Sequence, residues 1–254
     1  MLESNKLIEF SIHSDLKNID IIKPFQTKHF LPNWFKKIDA HSVEEMNIKG
    51  CVPFTDCLSA GYILPLPQDL FVSHRTYNLE KKEEESYYKF SCAADIPTSK
   101  AYEYNINSSE QELHNIKQVG GQGSFLGEKN GNQNIIKILN PWRIKTPKGY
   151  SCLFTTPFYK EEDHFSIISA IVDTDDFEDN INFPIIFNND KYPTFKKTFK
   201  QGTPYVQVIP FKREPWKMKI KSSTTQEMEK GKLFYMLKLI HIYKSKFWKK
   251  KKWN

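Results

Sequence analysis

Five acidic side chains crowd into the run AIVDTDDFEDNINFPIIF, at Asp173, Asp175, Asp176, Glu178 and Asp179. Carboxylates at this density can hold a metal ion or take a proton from an attacking water, provided they converge on one point. A strand that continued through Asp175 would put Asp173 and Asp175 on one face, because alternate side chains share a face. Asp176, Glu178 and Asp179 read as turn residues between the apolar runs on either side. No D-x-D-x-D-G loop with a distal glutamate is present, which excludes a calcium loop of the helix–loop–helix type. The spacing fits a solvated turn between two strands, with Asp173 and Asp175 as the pair best placed for chemistry.

Other reaction types find no set of residues. An iron-binding facial triad needs two histidines and a carboxylate. Of the seven histidines only His164 lies in the strand-rich half, too few there for the triad. Cys51, Cys57, Cys92 and Cys152 show neither zinc-ligand nor C-x-x-C spacing, so they read as reduced, buried thiols in a reducing compartment. There is no G-x-S-x-G elbow. GGQGSFLG (Gly120–Gly127) lacks the Gly-Lys-Ser/Thr ending and the flanking βαβ unit of a phosphate loop, and reads as a flexible connection. These patterns predict neither a metal nor a cofactor.

The second candidate site is a charged end. From Lys230 to Asn254 there are nine lysines and no acidic residue, so the net charge of +7 leaves +7 − 9 = −2 for residues 1–229. The basic character therefore belongs to the tail. Thr224 and Glu227 have capping-box spacing, and Leu233, Met236, Leu237, Ile240, Tyr243 and Phe247 fall on one helical stripe. That predicts a basic amphipathic helix of about six turns, its stripe packed on the sheet or on a partner. It ends in Lys246, Trp248, Lys249, Lys250, Lys251, Lys252 and Trp253, a candidate binding set for nucleic acid, an anionic membrane or an acidic protein face.

Around these two sites the chain reads as mainly β. IIKIL, YSCLFTTP, FSIISAIVDTD, NFPIIF, TPYVQVIPF and WKMKIKSS follow one another from Asn134, each rich in β-branched and aromatic residues. Short strands at close spacing, with no alternating helices, predict a sandwich or jelly roll. In GYILPLPQDLFVSH (Gly61–His74), Pro65 and Pro67 exclude a helix and argue for an edge strand. NLEKKEEES (Asn78–Ser86) reads as a solvated hairpin tip. LIEFSI (Leu7–Ile12) is a short strand, and Pro32 is set to open a short helix whose Trp34 and Phe35 anchor an arm to the core. The expected organisation is an arm over residues 1–50, a β body over 51–221 with an internal boundary near 119–132, and the basic helix and tail over 222–254. No run approaches the length of a membrane span, and the N-terminus has no apolar signal segment.

The runs NPWRIKTPKGYSCLFTTP (Asn140–Pro157), AIVDTDDFEDNINFPIIF and FKQGTPYVQVIPFKRE (Phe199–Glu214), with LPNWFKKI and CVPFTDCLSAGYILPLPQDL near the start, resemble an uncharacterised protein family of marine tailed phages. The resemblance implies a viral origin and a place in the host cytoplasm or in the virion, but no activity. The order of AIVDTDDF and QGTPYVQVIP is also similar to that of two motifs in the jelly roll of trimeric dUTPases. That likeness implies Asp173 as a water-activating aspartate, with Gly202 and Gln207 in the later motif. It departs at Phe177, where that family has tyrosine, and it lacks both the following Arg-Gly and an upstream P-R-S-G phosphate motif. The leading expectation is a non-catalytic phage protein, a virion component with other phage proteins or its own copies as partners. The alternatives are a nucleotide hydrolase using Asp173 or Asp175 with Gln207, and an early protein that binds a host factor.

Overall fold

The computed structural model describes residues 6–16, 20–42, 47–75, 87–90, 113–114, 135–188, 190–226, 228–229 and 243–254. In chain order the elements are β1 (Glu9–Ser11), β2 (Phe25–Gln26), α1 (Asn33–Lys37), α2 (Val52–Leu58), β3 (Tyr62–Pro65), β4 (Leu70–Arg75), β5 (Tyr87–Phe90), β6 (Leu113–His114) and β7 (Ile135–Ile138). There follow β8 (Arg143–Lys145), β9 (Tyr150–Thr155), β10 (Phe165–Ile167), β11 (Ala170–Val172), β12 (Phe183–Phe187), β13 (Thr194–Phe199) and β14 (Pro204–Lys212). The strands pair antiparallel in sheets ordered β11-β9-β14-β3-β2, β10-β12-β7-β6, β13-β4-β5 and β1-β8. This is the mainly β architecture that the closely spaced β-branched and aromatic runs predict.

Period-2 alternation builds the core. In β12, Phe183, Ile185 and Phe187 point inward while Pro184 and Ile186 do not. Leu64 of β3, Val72 of β4, Ile138 of β7, Phe154 of β9, Phe165 of β10 and Tyr205 of β14 join them in one buried cluster. Burying each such phenylalanine or leucine contributes about 2–3 kcal/mol.

Three elements differ from the reading of the sequence. FSIISAIVDTD is not one strand: β10 pairs with β12 and β11 pairs with β9, so the chain changes sheet at Ile168–Ser169. The prolines do not make β3 an edge strand. It lies between β14 and β2, and β2 covers only Tyr62 and Ile63, so Pro65 sits beyond the point where an N–H would be needed. WKMKIKSS is not a strand either, because the sheet ends with β14 at Lys212 and the segment that follows is exposed and unpaired. Three further readings fall on residues 78–86, 119–132 and 230–242. They concern the hairpin tip, the glycine-rich boundary and most of the amphipathic helix, and they lie outside the described residues.

The short helix after Pro32 is α1, and its aromatics do anchor it. Trp34 packs against Phe54 and Tyr159, and Phe35 is buried. Glu161 accepts from the Trp34 N–H at 2.9 Å and so caps the helix from a distant loop. The Trp34 indole donates to the Tyr159 carbonyl at 3.1 Å, at a residue held at φ 56°.

Candidate functional site

The acidic run is a turn, as its composition predicts. The Asp176 and Phe177 N–H groups donate to the Asp173 carbonyl at 3.1 and 3.0 Å. Thr174 and Asp175 are buried beneath it. The Thr174 hydroxyl lies 2.7 Å from that of Thr146 and 3.3 Å from the Cys152 sulfur.

Asp173 and Asp175 do come together, and what they converge on is Arg213. Its Nη1 donates to Asp175 Oδ1 at 2.8 Å and its Nη2 to Asp175 Oδ2, a bidentate pair. Nη1 also lies 3.1 Å from Asp173 Oδ1 and donates to Ser151 Oγ at 3.0 Å. Ser151 in turn donates to Asp173 at 2.6 Å. The Gly149 N–H donates to Asp175 Oδ2 at 2.7 Å, and the Gly149 carbonyl accepts from the Arg213 N–H at 2.9 Å. Gly149 holds φ at +85°, in the left-handed region that glycine enters without strain. The hydrogen bonds from Arg213 hold the Asp175 carboxyl well below the usual carboxylate range, against the opposing effect of burial. The guanidinium is correspondingly pushed up. Asp175 is thus an ionised clasp fastening the turn to the start of β9 and the end of β14.

Gln207 stands apart. It pairs with Thr155 on β9, whereas Ser151 pairs with Phe211, so four residues or about 13 Å of strand separate it from the clasp. It is buried and committed, accepting from the Phe158 N–H at 3.0 Å and donating to the Ala60 carbonyl at 2.7 Å. The hydrolase set of Asp173 or Asp175 with Gln207 does not assemble around a common point.

The run Lys160–Phe165 forms a cluster that histidine spacing alone does not reveal. Glu162, Asp163 and His164 bring ligand-type atoms within 4.8 Å of one another. Each carboxylate already holds a lysine: Lys197 donates to Glu162 at 2.5 Å and Lys191 to Asp163 at 2.6 Å. His164 Nδ1 lies 2.6 Å from Glu162, and its ring stacks on Tyr192 at 3.8 Å. The cations supply the charge that a metal would bring, so the cluster reads as an ion-pair network tying the 160–165 loop to β13. The signal that could have found it is the contiguous KEEDH run.

The basic end folds back onto the body. Tyr243–Phe247 form a single π-helical turn. The Trp248 indole and Lys251 both donate to Asp56 Oδ2, at 2.8 and 2.7 Å. Trp253 meets Tyr62 edge to face at 6.4 Å, Lys28 donates to its carbonyl at 3.3 Å, and the Tyr62 hydroxyl donates to the Asn254 carbonyl at 3.1 Å. The two tryptophans are half-buried, while Lys246, Lys249, Lys250 and Lys252 remain exposed. The residues named for binding therefore divide: Trp248, Lys251 and Trp253 hold the tail down, and the other four lysines face solvent. Asp56, the residue that organises the docking, has no sequence signal.

Comparison with known proteins adds little. No family model matches the chain, and no curated protein does. Among solved structures, a dUTPase mutant of Staphylococcus bacteriophage 80alpha, determined with dUpNHpp, aligns with a TM-score of 0.31 at 12% identity, over 66% of this chain and 78% of that one. That likeness is too slight to assign a reaction. Cys51, Cys57 and Cys152 are free thiols, but only Cys152 is buried as the spacing led one to expect; Cys57 is half-buried and Cys51 is exposed. Among the described residues no helix is long and apolar enough to cross a membrane.

Proposed function

We propose that the protein is a non-catalytic phage component whose docked tail presents a basic ridge to the phosphate backbone of DNA. The observation that carries this reading is the fixing of the tail through Trp248, Lys251 and Trp253, which holds Lys249, Lys250 and Lys252 outward on one short segment beside Lys28. A preformed cationic ridge needs less ordering on binding than a free tail, and lysines on phosphates act without reading sequence. The commitment of Asp175 to Arg213, and of Gln207 to backbone groups, supports a scaffolding role for the β body. The sequence resemblance supports a phage setting.

The test is duplex DNA binding by the full chain across salt concentrations. We expect log K to fall linearly with log salt, independent of sequence. Replacing Lys249, Lys250 and Lys252 together with serine should lower that slope by about 2–3, close to one per lost phosphate contact. Unchanged binding in the triple variant would overturn the reading. Tight binding to an acidic protein surface with none to DNA would replace the partner but keep the ridge. A nucleotide-hydrolase role predicts instead thermal stabilisation by a nucleotide that Asp173→Asn abolishes.

A further inference from the structure

Beyond β14 the chain leaves the sheet as Arg213–Ser223, with the sequence REPWKMKIKSS. Trp216, Met218 and Ile220 are 88, 89 and 85% exposed. Lys217, Lys219 and Lys221 alternate with them. In an extended chain alternate side chains share a face, so one face is apolar and the other cationic. From Pro215 to Ser223 no backbone group bonds to another described residue. A segment with strand alternation, no ladder and three large apolar side chains in water is half of an interaction.

We propose that this segment adds as a strand to the outer edge of β11 in a second copy of the chain, giving a two-fold dimer by reciprocal exchange. Charge selects the receiving edge. Among the described residues β11 ends its sheet with one side unpaired, and Ile171 on it is 63% exposed. The acidic turn follows at once, with Asp176, Glu178 and Asp179 exposed and Phe177 beside them. Apolar side chains thus meet Ile171 and Phe177, and the lysines meet carboxylates. The longer open edge, β13, carries the exposed Lys196, which would repel the same segment.

Placement selects a two-fold arrangement. β11 and β14 both run antiparallel to β9, so they end on the same side of the sheet. Arg213 roots the segment there, against Asp173 and Asp175 of its own chain. Donor and acceptor therefore start from one spot, and a two-fold axis beside it serves both copies with the same contacts. Lys148 and Lys145, now 2.7 and 4.0 Å from Asp176 and Glu178, are exposed and half-buried partners respectively, and incoming lysines can exchange with them at little cost. The proposal does not depend on the basic ridge.

Sedimentation equilibrium of the full chain from 1 to 100 µM, at about 0.15 M salt, tests it. We expect a dimer. Trp216→Glu, Met218→Glu and Ile220→Glu combined, and separately Ile171→Lys, should each raise its dissociation constant at least tenfold. Neither variant should move the urea midpoint of the isolated chain much, because the segment's side chains are exposed and Ile171 is mostly so. A chain that stays monomeric throughout overturns the proposal. A dimer indifferent to Ile171→Lys removes β11 as the receiver. A monomer that co-sediments with phosphatidylserine vesicles through Trp216 assigns the segment to a membrane surface instead.

Discussion

Among the described residues, Lys160 is the one whose surroundings fit its charge least. Its Nζ donates to the Phe165 carbonyl at 2.6 Å and lies 4.3 Å above the Phe165 ring. Burial pushes its pKa down to about 8, although Glu162 and Asp163 pull the other way. Below pH 8 both folded and unfolded chains hold the proton, and the folded state bears the full cost. Between pH 8 and about 10.4 the unfolded chain keeps a proton that the folded chain has shed, so this group's contribution to stability rises with pH. Lys160→Met removes the cost but leaves the Phe165 carbonyl without its donor. We expect the variant to be more stable than the parent at pH 7 by about 2 kcal/mol, the difference shrinking towards pH 10. Urea midpoints at pH 7, 8.5 and 10 measure it. A difference that holds constant with pH would show that Lys160 is not the titrating group.

At the scale of elements, the docked tail depends on α2. Asp56 takes two charge-assisted or indole hydrogen bonds, from Lys251 and Trp248, through one carboxylate oxygen. Removing that acceptor should weaken docking by about 2 kcal/mol, roughly thirtyfold in the ratio of docked to free tail. Asp56→Ala should therefore speed trypsin cleavage at Lys249–Lys252 and shift Trp248 emission to the red, with the body intact. Cleavage at the parental rate would mean that Trp253 on Tyr62 holds the tail by itself. The lysine run marks a basic tail in the sequence, but the anchor does not show there. Asp56 precedes Lys251 by 195 residues, and an isolated aspartate in VPFTDCL has no pattern to distinguish it.

The whole molecule shows the same division between local and distant information. Runs rich in β-branched and aromatic residues make β9, β12 and β14 legible, because such composition depends only on neighbouring residues. The turn character of Asp173–Asp179 is legible for the same reason. What that turn is fastened to is not, since Arg213 lies 38 residues beyond Asp175, between the runs TPYVQVIPF and WKMKIKSS, with no motif to mark it. The sheet change between β10 and β11 is hidden too, as it depends on which partner each half finds rather than on composition.

Those long-range ion pairs set how the molecule responds to acid. Asp175 is lowered by Arg213, Asp69 by Lys200 and Asp163 by Lys191, each chiefly through a hydrogen bond from its cation. A carboxylate whose folded pKa lies below its unfolded value near 3.9 adds stability that is complete above that value and is lost as pH falls towards the folded pKa. The parent should hold a steady urea midpoint from pH 7 to about 5 and lose stability steeply below 4. In Asp175→Asn, Arg213 faces a neutral amide and the turn loses its clasp, so the midpoint at pH 7 should drop. The acid fall should also be shallower, since Asp175 contributes most where its proton is hardest to add, and the two curves should approach each other near pH 2. Curves that stay parallel from pH 7 to 2 would mean that the turn is held by its hydroxyl contacts, Thr174 to Thr146, and not by the ion pair.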